Sequence, residues 1–227
     1  MQIEYQNLPL NYSFIKHLFK QLSIGKTPIR IFHNYFLKDL EIYGKVIDIG
    51  SGNHSSYLSF IKQKKTEIYY ADKFHVKQKN FIKIDLEKDI EIKSQTFDTV
   101  LLFNVLEHVN NYKNLLREMD RILKKEGKLE IFVPFMHRYH EDPDDHFRPT
   151  HTYLTKMLKD NNFEVSTNVI GVGPFTVISE ILLKYFRFKI LKFPILTIFL
   201  ILDKIIKIFS KDYNTFYLGV HCSCRKL

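Results

Sequence analysis

A short apolar run that stops at two glycines constrains the fold of this chain more than any other feature. The run occupies residues 46–49, and Gly50 and Gly52 follow it one residue apart. β-Branched residues favour strands, whereas a glycine, which has no Cβ, lets the backbone adopt positive φ and approach a ligand closely. The segment therefore predicts a buried strand that ends at a nucleotide-type binding loop.

That loop could be a dinucleotide-binding loop, the binding loop of another cofactor, or a plain tight turn. A dinucleotide-binding fingerprint would place a third glycine three residues after the second, where the helix packs against the strand. This chain has Ser55 at that position, which disfavours NAD as the ligand. A plain tight turn would also explain two glycines after a strand, so the rest of the chain must distinguish a turn from a cofactor loop.

Two further predicted strands end at acidic residues. Residues 67–71 form a strand that ends at Asp72, and residues 81–84 form one that ends at Asp85. Asp72 follows Gly50 at about the interval expected of an acid that binds ribose hydroxyls, although a strand-end turn is its structural alternative. Because ligands of open parallel sheets lie beyond the carboxyl ends of the strands, we expect these residues to converge on one crevice.

Three short motifs lie between about residue 44 and residue 135. They are Asp-Ile-Gly-Ser-Gly at 48–52, Phe-Asn-Val-Leu-Glu-His-Val at 103–109, and a segment at 116–129 that begins Leu-Arg-Glu-Met-Asp and ends Gly-Lys-Leu. Together they resemble the methyltransferase type 11 group of class I S-adenosylmethionine (SAM) dependent methyltransferases. The resemblance implies SAM as the cofactor. It also implies that the cofactor-binding residues are Asp48, Gly50, Ser51, Gly52, Asp72, Asp85 and Asn104.

The same resemblance implies an α/β fold with a Rossmann-like, seven-stranded, mostly parallel sheet whose last strand is antiparallel. A length of 227 residues suits a single domain with accessory elements. We predict that two helices precede the first strand and that a short helix covers residues 55–62. The predicted parts are an N-terminal helical cap at 1–43, a SAM-binding core with a substrate loop at 44–172, a basic apolar helical insertion at 173–214, and a last strand at 215–227.

Residues 134–150 follow the fifth predicted strand, at 131–133. We expect the reaction to occur in this segment. It crowds histidines, acids and an arginine among three prolines that exclude a continuous helix. Its His-x-x-Pro-x-Asp-x-x-Arg-x-Thr spacing is similar to that of SAM methyltransferases often associated with surface-polysaccharide assembly. We predict His140 as the general base, Asp145 as the carboxylate that orients it, and Arg148 as a two-pronged contact for a substrate carboxylate or phosphate.

Two alternatives compete with these catalytic roles. Asp145 and Arg148 could pair with each other and fix the loop. His137, His140 and the 144–146 segment offer possible metal ligands, but their spacing is irregular, so we predict no metal. Glu107 and His108, in the second motif, would be explained equally well by the start of a helix.

The charge of the chain bears on its partners. It has 34 lysines and arginines against 25 acids, a formal net charge of +9, which favours a phosphorylated substrate, an anionic membrane surface or nucleic acid. Nucleic acid is disfavoured because no aromatic and basic platform stands out. Residues 181–209 mix apolar and basic positions, and their apolar run is too short to cross a bilayer. Such helices suit contact with anionic lipid or a partner subunit, with core packing as the alternative.

These features predict a SAM-dependent methyltransferase that acts on a sugar hydroxyl of a glycan, nucleotide sugar or lipid-linked saccharide. Another small molecule or RNA as the substrate, or a non-catalytic SAM-binding subunit, are the alternatives. We expect a cytoplasmic protein at or near the inner face of the membrane, because the first ten residues show no signal-peptide pattern. Cys222 and Cys224 are the only cysteines and are expected to form no disulfide.

Overall fold

The computed structural model describes residues 3–6, 8–52, 55–74 and 77–227, except for the side chain of Ile190. Its strands are β1 (Ile3–Tyr5), β2 (Glu41–Ile49), β3 (Lys62–Asp72), β4 (Phe81–Lys83), β5 (Phe97–Phe103), β6 (Leu123–Pro134), β7 (Phe163–Val172) and β8 (Tyr217–Lys226). Its α-helices are α1 (Tyr12–Ser23), α2 (Pro28–Phe36), α3 (Tyr112–Ile122), α4 (His151–Asp160), α5 (Pro174–Leu182) and α6 (Lys189–Phe209).

The strands form one sheet in the order β1-β7-β8-β6-β5-β2-β3-β4. Every pairing is parallel except those of β8, which runs antiparallel to both β6 and β7. The predicted α/β class, the mostly parallel sheet and the antiparallel last strand are therefore confirmed. β2 and β5 are neighbours near the centre of the sheet, so the glycine loop after β2 and the motif at 103–109 after β5 lie at the same edge of the sheet.

The predicted count of seven strands is wrong, because the described residues form eight. The additional strand, β1, pairs in parallel with β7, with Ile3 opposite Thr167 and Tyr5 opposite Val169. The first two helices therefore follow a strand instead of preceding all of them. Three residues are too few to show the alternation that marks a strand in a sequence, and only the exposed edge of β7 gives this segment its partner.

The predicted helix at 55–62 is also wrong. The structure has a single 3₁₀ turn there, Ser56–Ser59, and β3 already begins at Lys62. Lys62 pairs with Glu41 at the start of β2, so β3 extends much further back than residue 67. The early start of β3 leaves too little chain after the glycine loop for an α-helix.

Two hydrophobic layers lie on opposite faces of the sheet. Alternate residues of β5 enter different layers: Val100 and Leu102 pack with α3 and α4, whereas Leu101 and Phe103 pack with α1, α2 and α6. This is the period-2 alternation of a strand that is buried on both faces. The sheet therefore lies between the two layers. The edge formed by the carboxyl ends of its strands is where we expect the functional site.

The predicted helical insertion consists of α5 and α6. Leu196 and Leu200 on the inner side of α6 are buried in the same cluster as Phe14 and Leu18 of α1, so packing against the first helices is part of its role. The outer side of α6 leaves a row of apolar side chains exposed, at Ile198, Ile201, Ile205 and Ile208. Among the described residues, no helix is both long enough and apolar enough to cross a bilayer.

Candidate active site

The carboxyl ends of β2, β3 and β5 border a cavity of about 180 Å³, which we call the cofactor cavity. Four predicted cofactor residues line it together, as the strand-end argument expected: Gly50, Asp72, Asp85 and Asn104. Three other predicted residues, Asp48, Ser51 and Gly52, lie in or beneath the same loop. The convergence is an observation, whereas the contact of each residue with a cofactor stays a prediction.

The glycine loop has the conformation that its sequence predicts. Gly50 has φ +67° and Gly52 has φ +54°, values at which a side chain is strained. A Cβ on Gly50 would overlap the side chain of Val105, whereas a Cβ on Gly52 would meet nothing within 4 Å. Gly50 thus lets the β2 and β5 loops approach each other, and Gly52 leaves open backbone beside the cavity.

Asp72 ties this loop to the end of β3. Its Oδ2 accepts a hydrogen bond from the Gly52 amide at 3.0 Å, and its Oδ1 accepts one from the Phe74 amide at 3.0 Å. The carboxylate therefore already has a structural role at the wall of the cavity. Each carboxylate oxygen has more than one lone pair, so binding of ribose hydroxyls by Asp72 is compatible with these two bonds.

Asp48 lies beneath the loop and does not line the cavity. It is fully buried and accepts hydrogen bonds from the hydroxyls of Ser55 and Tyr57. Burial raises the pKa of Asp48 to about 6, although the two hydroxyls oppose the shift. Ser51 is buried as well, and its Oγ has no hydrogen-bond partner among the described residues. Asp48 therefore fixes the loop from below, and the Ser51 hydroxyl is available to a ligand.

Most of the charged residues that line the cofactor cavity are acids. Besides Asp72 and Asp85 it is bordered by Glu87, Asp142 and Asp144, with Lys73 as a cation. An excess of carboxylates at one edge creates a negative potential that attracts cationic ligands. The chemistry of this cavity therefore favours a ligand that carries positive charge.

The loop at 134–150 folds around a pair that the sequence left as an alternative. Both carboxylate oxygens of Asp145 accept hydrogen bonds from the guanidinium of Arg148, and Oδ2 also accepts the His140 amide at 3.0 Å. Burial alone would raise the pKa of Asp145, but the Arg148 and His140 hydrogen bonds outweigh it and lower the pKa. The Asp145–Arg148 pair therefore fixes the loop, while the catalytic roles of these residues stay predictions.

The imidazole of His140 stands beside this pair. Its Nδ1 lies 3.4 Å from the Arg138 carbonyl, 3.5 Å from Asp145 Oδ2 and 3.3 Å from Arg148 Nη2. The two oxygens favour the tautomer with a proton on Nδ1, and the guanidinium favours the other one. Burial, followed by the neighbouring His108 and His137, lowers the pKa of His140, so the ring is neutral at neutral pH.

Three histidines form a row, which we call the histidine row: His108, His140 and His137. The ring centroids of His108 and His140 are 4.8 Å apart, and those of His140 and His137 are 5.2 Å apart, both pairs edge to face. His108 lines the cofactor cavity at one end. His137 lines a different and larger cavity at the other end, where its Nδ1 lies 3.0 Å from Glu180 Oε1.

Glu107 is the residue that the sequence analysis undervalued. Its side chain is fully buried, and neither carboxylate oxygen has a hydrogen-bond partner among the described residues. Burial raises the pKa of Glu107 to about 8. Glu107, His108 and His140 each present a ligand atom within 4.8 Å of the others. The signal that could have found Glu107 is an acid within an otherwise apolar Val-Leu-Glu-His-Val stretch.

The larger cavity, which we call the large cavity, has a volume of about 910 Å³. It lies between the α1–α2 connection, the start of the 134–150 loop, and α5 with its connection to α6. Most of its lining is apolar, at Leu22, Pro28, Met136, Val177, Ile178, Ile181, Leu183 and Phe216. Local sequence patterns did not predict it, because segments that are far apart in the chain form its walls.

Comparisons with known proteins identify the domain family and the fold. The profile of a family described as a methyltransferase domain matches residues 17–168. An uncharacterized protein of Methanocaldococcus jannaschii is 29% identical over 143 residues, which are 60% of this chain and 60% of that protein. A second one from the same organism is 54% identical over 44 residues, 19% of each chain. Each match spans less than two thirds of the relative.

Solved structures share the fold. The 4+2 cyclase SpnF has a TM-score of 0.56 at 15% identity, covering 95% of this chain and 93% of that one. A chain in the complex of the Haloferax volcanii Trm112 methyltransferase activator with a putative methyltransferase has a TM-score of 0.55 at 13% identity, covering 92% of each. A SAM-dependent methyltransferase of Mesorhizobium loti has 0.52 at 10% identity, covering 80% and 90%. At these identities the likeness is one of fold.

The residues at this edge of the sheet fit SAM. Its sulfonium and amino groups are cationic and suit the acidic cofactor cavity. Gly52 leaves open backbone for close approach, and the unpartnered Ser51 hydroxyl offers a donor or acceptor. Gly50, Ser51 and Gly52 would hold the cofactor from the β2 side, with Asp72, Asp85 and Asn104 on the opposite walls.

Proposed function

This chain belongs to the methyltransferase domain family and uses SAM as its cofactor, and we propose that it methylates a sugar hydroxyl of a glycan, nucleotide sugar or lipid-linked saccharide. The observation that supports this proposal is the histidine row, because it connects the cofactor cavity to the large cavity. A neutral base at that boundary suits an acceptor whose proton must be removed.

His140 is the proposed general base. SAM supplies an activated methyl group, so the residues of this chain must orient the acceptor hydroxyl and remove its proton. The Arg138 carbonyl and Asp145 would hold the proton on Nδ1, which leaves the lone pair of Nε2 free to accept the acceptor's proton. The lowered pKa of His140 keeps that lone pair available at neutral pH.

Asp145 and Arg148 have supporting roles in this proposal. Asp145 orients the His140 segment through the backbone amide and stabilises the imidazolium once it forms. Arg148 holds Asp145, and its buried Nε has no hydrogen-bond partner among the described residues. That remaining donor supports the proposed contact of Arg148 with an acidic group of the substrate.

The glycan substrate rests on the narrower resemblance to the methyltransferase type 11 group and to enzymes associated with surface-polysaccharide assembly. The folded segment explains part of that pattern, because Thr150 caps α4 by accepting the Tyr153 amide at 3.3 Å and Asp145 pairs with Arg148. His140 is the member of the pattern that these structural contacts leave available for chemistry.

We also propose a cytoplasmic protein that contacts the inner face of the membrane through α6. The exposed row from Ile198 to Ile208 would enter the lipid interface, and nearby exposed lysines such as Lys184 and Lys204 would meet anionic headgroups. The H. volcanii chain similar in fold is bound to an activator subunit. A partner subunit on α6 is therefore the competing occupant of this surface.

Two measurements test the proposed reaction. Calorimetry with S-adenosylhomocysteine (SAH) should detect a single cofactor site in the purified protein. Incubation with SAM and candidate glycans, nucleotide sugars or lipid-linked saccharides should give a product heavier by one methyl group. The added methyl group should be on a sugar oxygen. Binding of SAH without methylation of any of these acceptors, but with methylation of RNA or of another small molecule, would refute the sugar assignment.

A further inference from the structure

The large cavity has the size and lining of a small-molecule site. Its volume of about 910 Å³ lies within the ~300–1,000 Å³ typical of ligand pockets. Val177 and Leu183 form buried parts of its wall, and Ile181 extends that wall to the surface with 59% of its area exposed. An apolar wall that continues from core to surface favours a ligand with an elongated apolar part.

The rim of the large cavity is basic. Four cationic side chains line it, from three separate segments: Lys26, Arg138, Lys184 and Lys192. The acid in the lining is Glu180, which is buried and already accepts the Ile29 amide at 2.9 Å and faces His137 at 3.0 Å. The available charge at the rim is therefore positive, and lysine and arginine side chains of this kind bind phosphate oxygens.

The chemistry end of the large cavity is the histidine row. His137 and Arg138 both line the cavity, and His137 lies in edge-to-face contact with the proposed base. A ligand whose apolar part occupies the cavity would thus have its polar part near both the cations and the histidines. This order of apolar wall, cations and base matches the order of chain, phosphate and hydroxyl in a phosphorylated lipid.

We propose that the large cavity binds an anionic amphiphile, with its aliphatic chain against α5 and its phosphate among Lys26, Arg138, Lys184 and Lys192. Among the proposed acceptors, this site selects the lipid-linked saccharide. The inference rests on the proposed function only for the statement that the bound lipid carries the acceptor hydroxyl. Binding of the amphiphile itself is independent of methyl transfer.

The test first compares the binding of three probes to the purified full chain by calorimetry: decyl phosphate, decyl maltoside and glycerol phosphate. The two decyl compounds are used below their micelle-forming concentrations. Decyl phosphate should bind most tightly, because it alone has both the chain and the anion. Octyl phosphate, two methylenes shorter, should bind about fifteenfold more weakly, since each buried methylene contributes about fourfold in affinity. Equal affinity for octyl and decyl phosphate, or no binding of decyl phosphate, would overturn the proposal.

Variants locate the binding site. Lys184→Gln combined with Lys192→Gln should weaken decyl phosphate at least tenfold at low salt, about fivefold for each charge, and leave decyl maltoside unchanged. Ile181→Glu, at an exposed position of the wall, should abolish decyl phosphate binding. Lys159→Gln and Ile205→Glu, exposed and outside the cavity, are the matched controls. Equal effects of the cavity variants and controls would place the amphiphile elsewhere.

SAH calorimetry on the same samples separates this inference from the proposed function. Retained SAH binding shows that a variant is folded and that its cofactor cavity is intact. Amphiphile binding without methylation of a lipid-linked acceptor supports the site and refutes the statement that the bound lipid carries the acceptor hydroxyl. Methylation of a free nucleotide sugar by a protein that ignores decyl phosphate supports the reaction and refutes the amphiphile site.

Discussion

The two cavities on either side of the histidine row have opposite character. The cofactor cavity is small and lined by acids such as Asp72 and Asp85, whereas the large cavity is apolar and rimmed by cations such as Arg138 and Lys184. A cationic cofactor and an anionic acceptor would each be repelled by the other cavity. In the proposed reaction, this difference would direct the cationic cofactor and the anionic acceptor to different cavities on either side of His140.

Replacing His140 breaks the connection between the cavities and has the largest expected effect. In His140→Gln we expect kcat to fall by about 10² to 10⁴, because the imidazole acts only in the transition state. SAH affinity should stay near that of the wild type. His146→Gln, an exposed histidine of the same loop, is the matched control in initial-rate measurements. A rate within a factor of a few of wild type would limit His140 to a structural role.

The pH profile of the wild type sharpens the same assignment. The base must be neutral to act, and burial with the neighbouring histidines lowers the pKa of His140 below its ordinary 6.5. We therefore expect kcat to decrease on the acid side with a midpoint below pH 6.5. An acidic limb centred above pH 6.5 would contradict a base in this environment.

Replacing Asp72 disturbs only the cofactor side of the comparison. We expect Asp72→Ala to weaken SAH binding by one to two decades, which corresponds to about 1.5–3 kcal/mol of lost charged hydrogen bonding. Asp72→Asn should lose less, because its amide oxygen still accepts one hydrogen bond. Asp89→Ala, at an exposed acid outside the cofactor cavity, is the control for calorimetry. Unchanged SAH affinity in a folded Asp72→Ala would remove Asp72 from the cofactor site.

The buried carboxyl group of Glu107 predicts how the stability of the protein depends on pH. Its folded-state pKa of about 8 exceeds the ordinary 4.5, so the folded protein binds more protons than the unfolded chain between those values. Stability should therefore fall as pH rises through this window. Glu107→Gln removes the ionisation, and we expect it to gain on the order of 2 kcal/mol relative to wild type between pH 5 and 7, at about 1.4 kcal/mol per unit.

Urea unfolding at several pH values measures this difference. Glu126→Gln, at an exposed acid of β6, should show no pH-dependent gain and serves as the control. Parallel stability curves for Glu107→Gln and wild type would mean that Glu107 ionises normally in the folded protein.

The smallest expected effect concerns the surface next to the large cavity. We expect the wild type to float with vesicles that contain anionic lipid at low salt and to be released as salt rises, because salt screens exposed lysines. Replacing Lys184, Arg187 and Lys192 by glutamine should reduce flotation severalfold, and neutral vesicles are the control. No flotation with anionic vesicles at low salt would return the segment to core packing or a protein interface.

Much of the cofactor side could be predicted from the sequence, because its signals are local. A few adjacent residues are enough to recognise each feature on this side: the β2 strand with its glycines, the acid after β3 and the motif after β5. Parallel strands then bring their carboxyl ends together. The misses on this side, β1 and the length of β3, are strand boundaries that depend on a neighbouring strand.

The acceptor side was decided by tertiary structure. The composition of residues 134–150 predicted the loop in which we expect the reaction, but the sequence left open whether Asp145 pairs with His140 or with Arg148. In the fold, Asp145 accepts the His140 amide and pairs with the Arg148 guanidinium. The approach of His137 to Glu180 joins residues 43 positions apart in number, and the large cavity joins the α1–α2 connection to α5.

The sequence by itself determined which residues end several of the strands and hence where the cofactor cavity lies, since side-chain alternation and glycine conformation are properties of adjacent residues. Only the tertiary structure decided that Glu107 is buried without a hydrogen-bond partner among the described residues, that three histidines stand in a row and that a basic apolar cavity meets them. Burial and charge at those places are set by side chains that distant segments bring together, and no local pattern contains them.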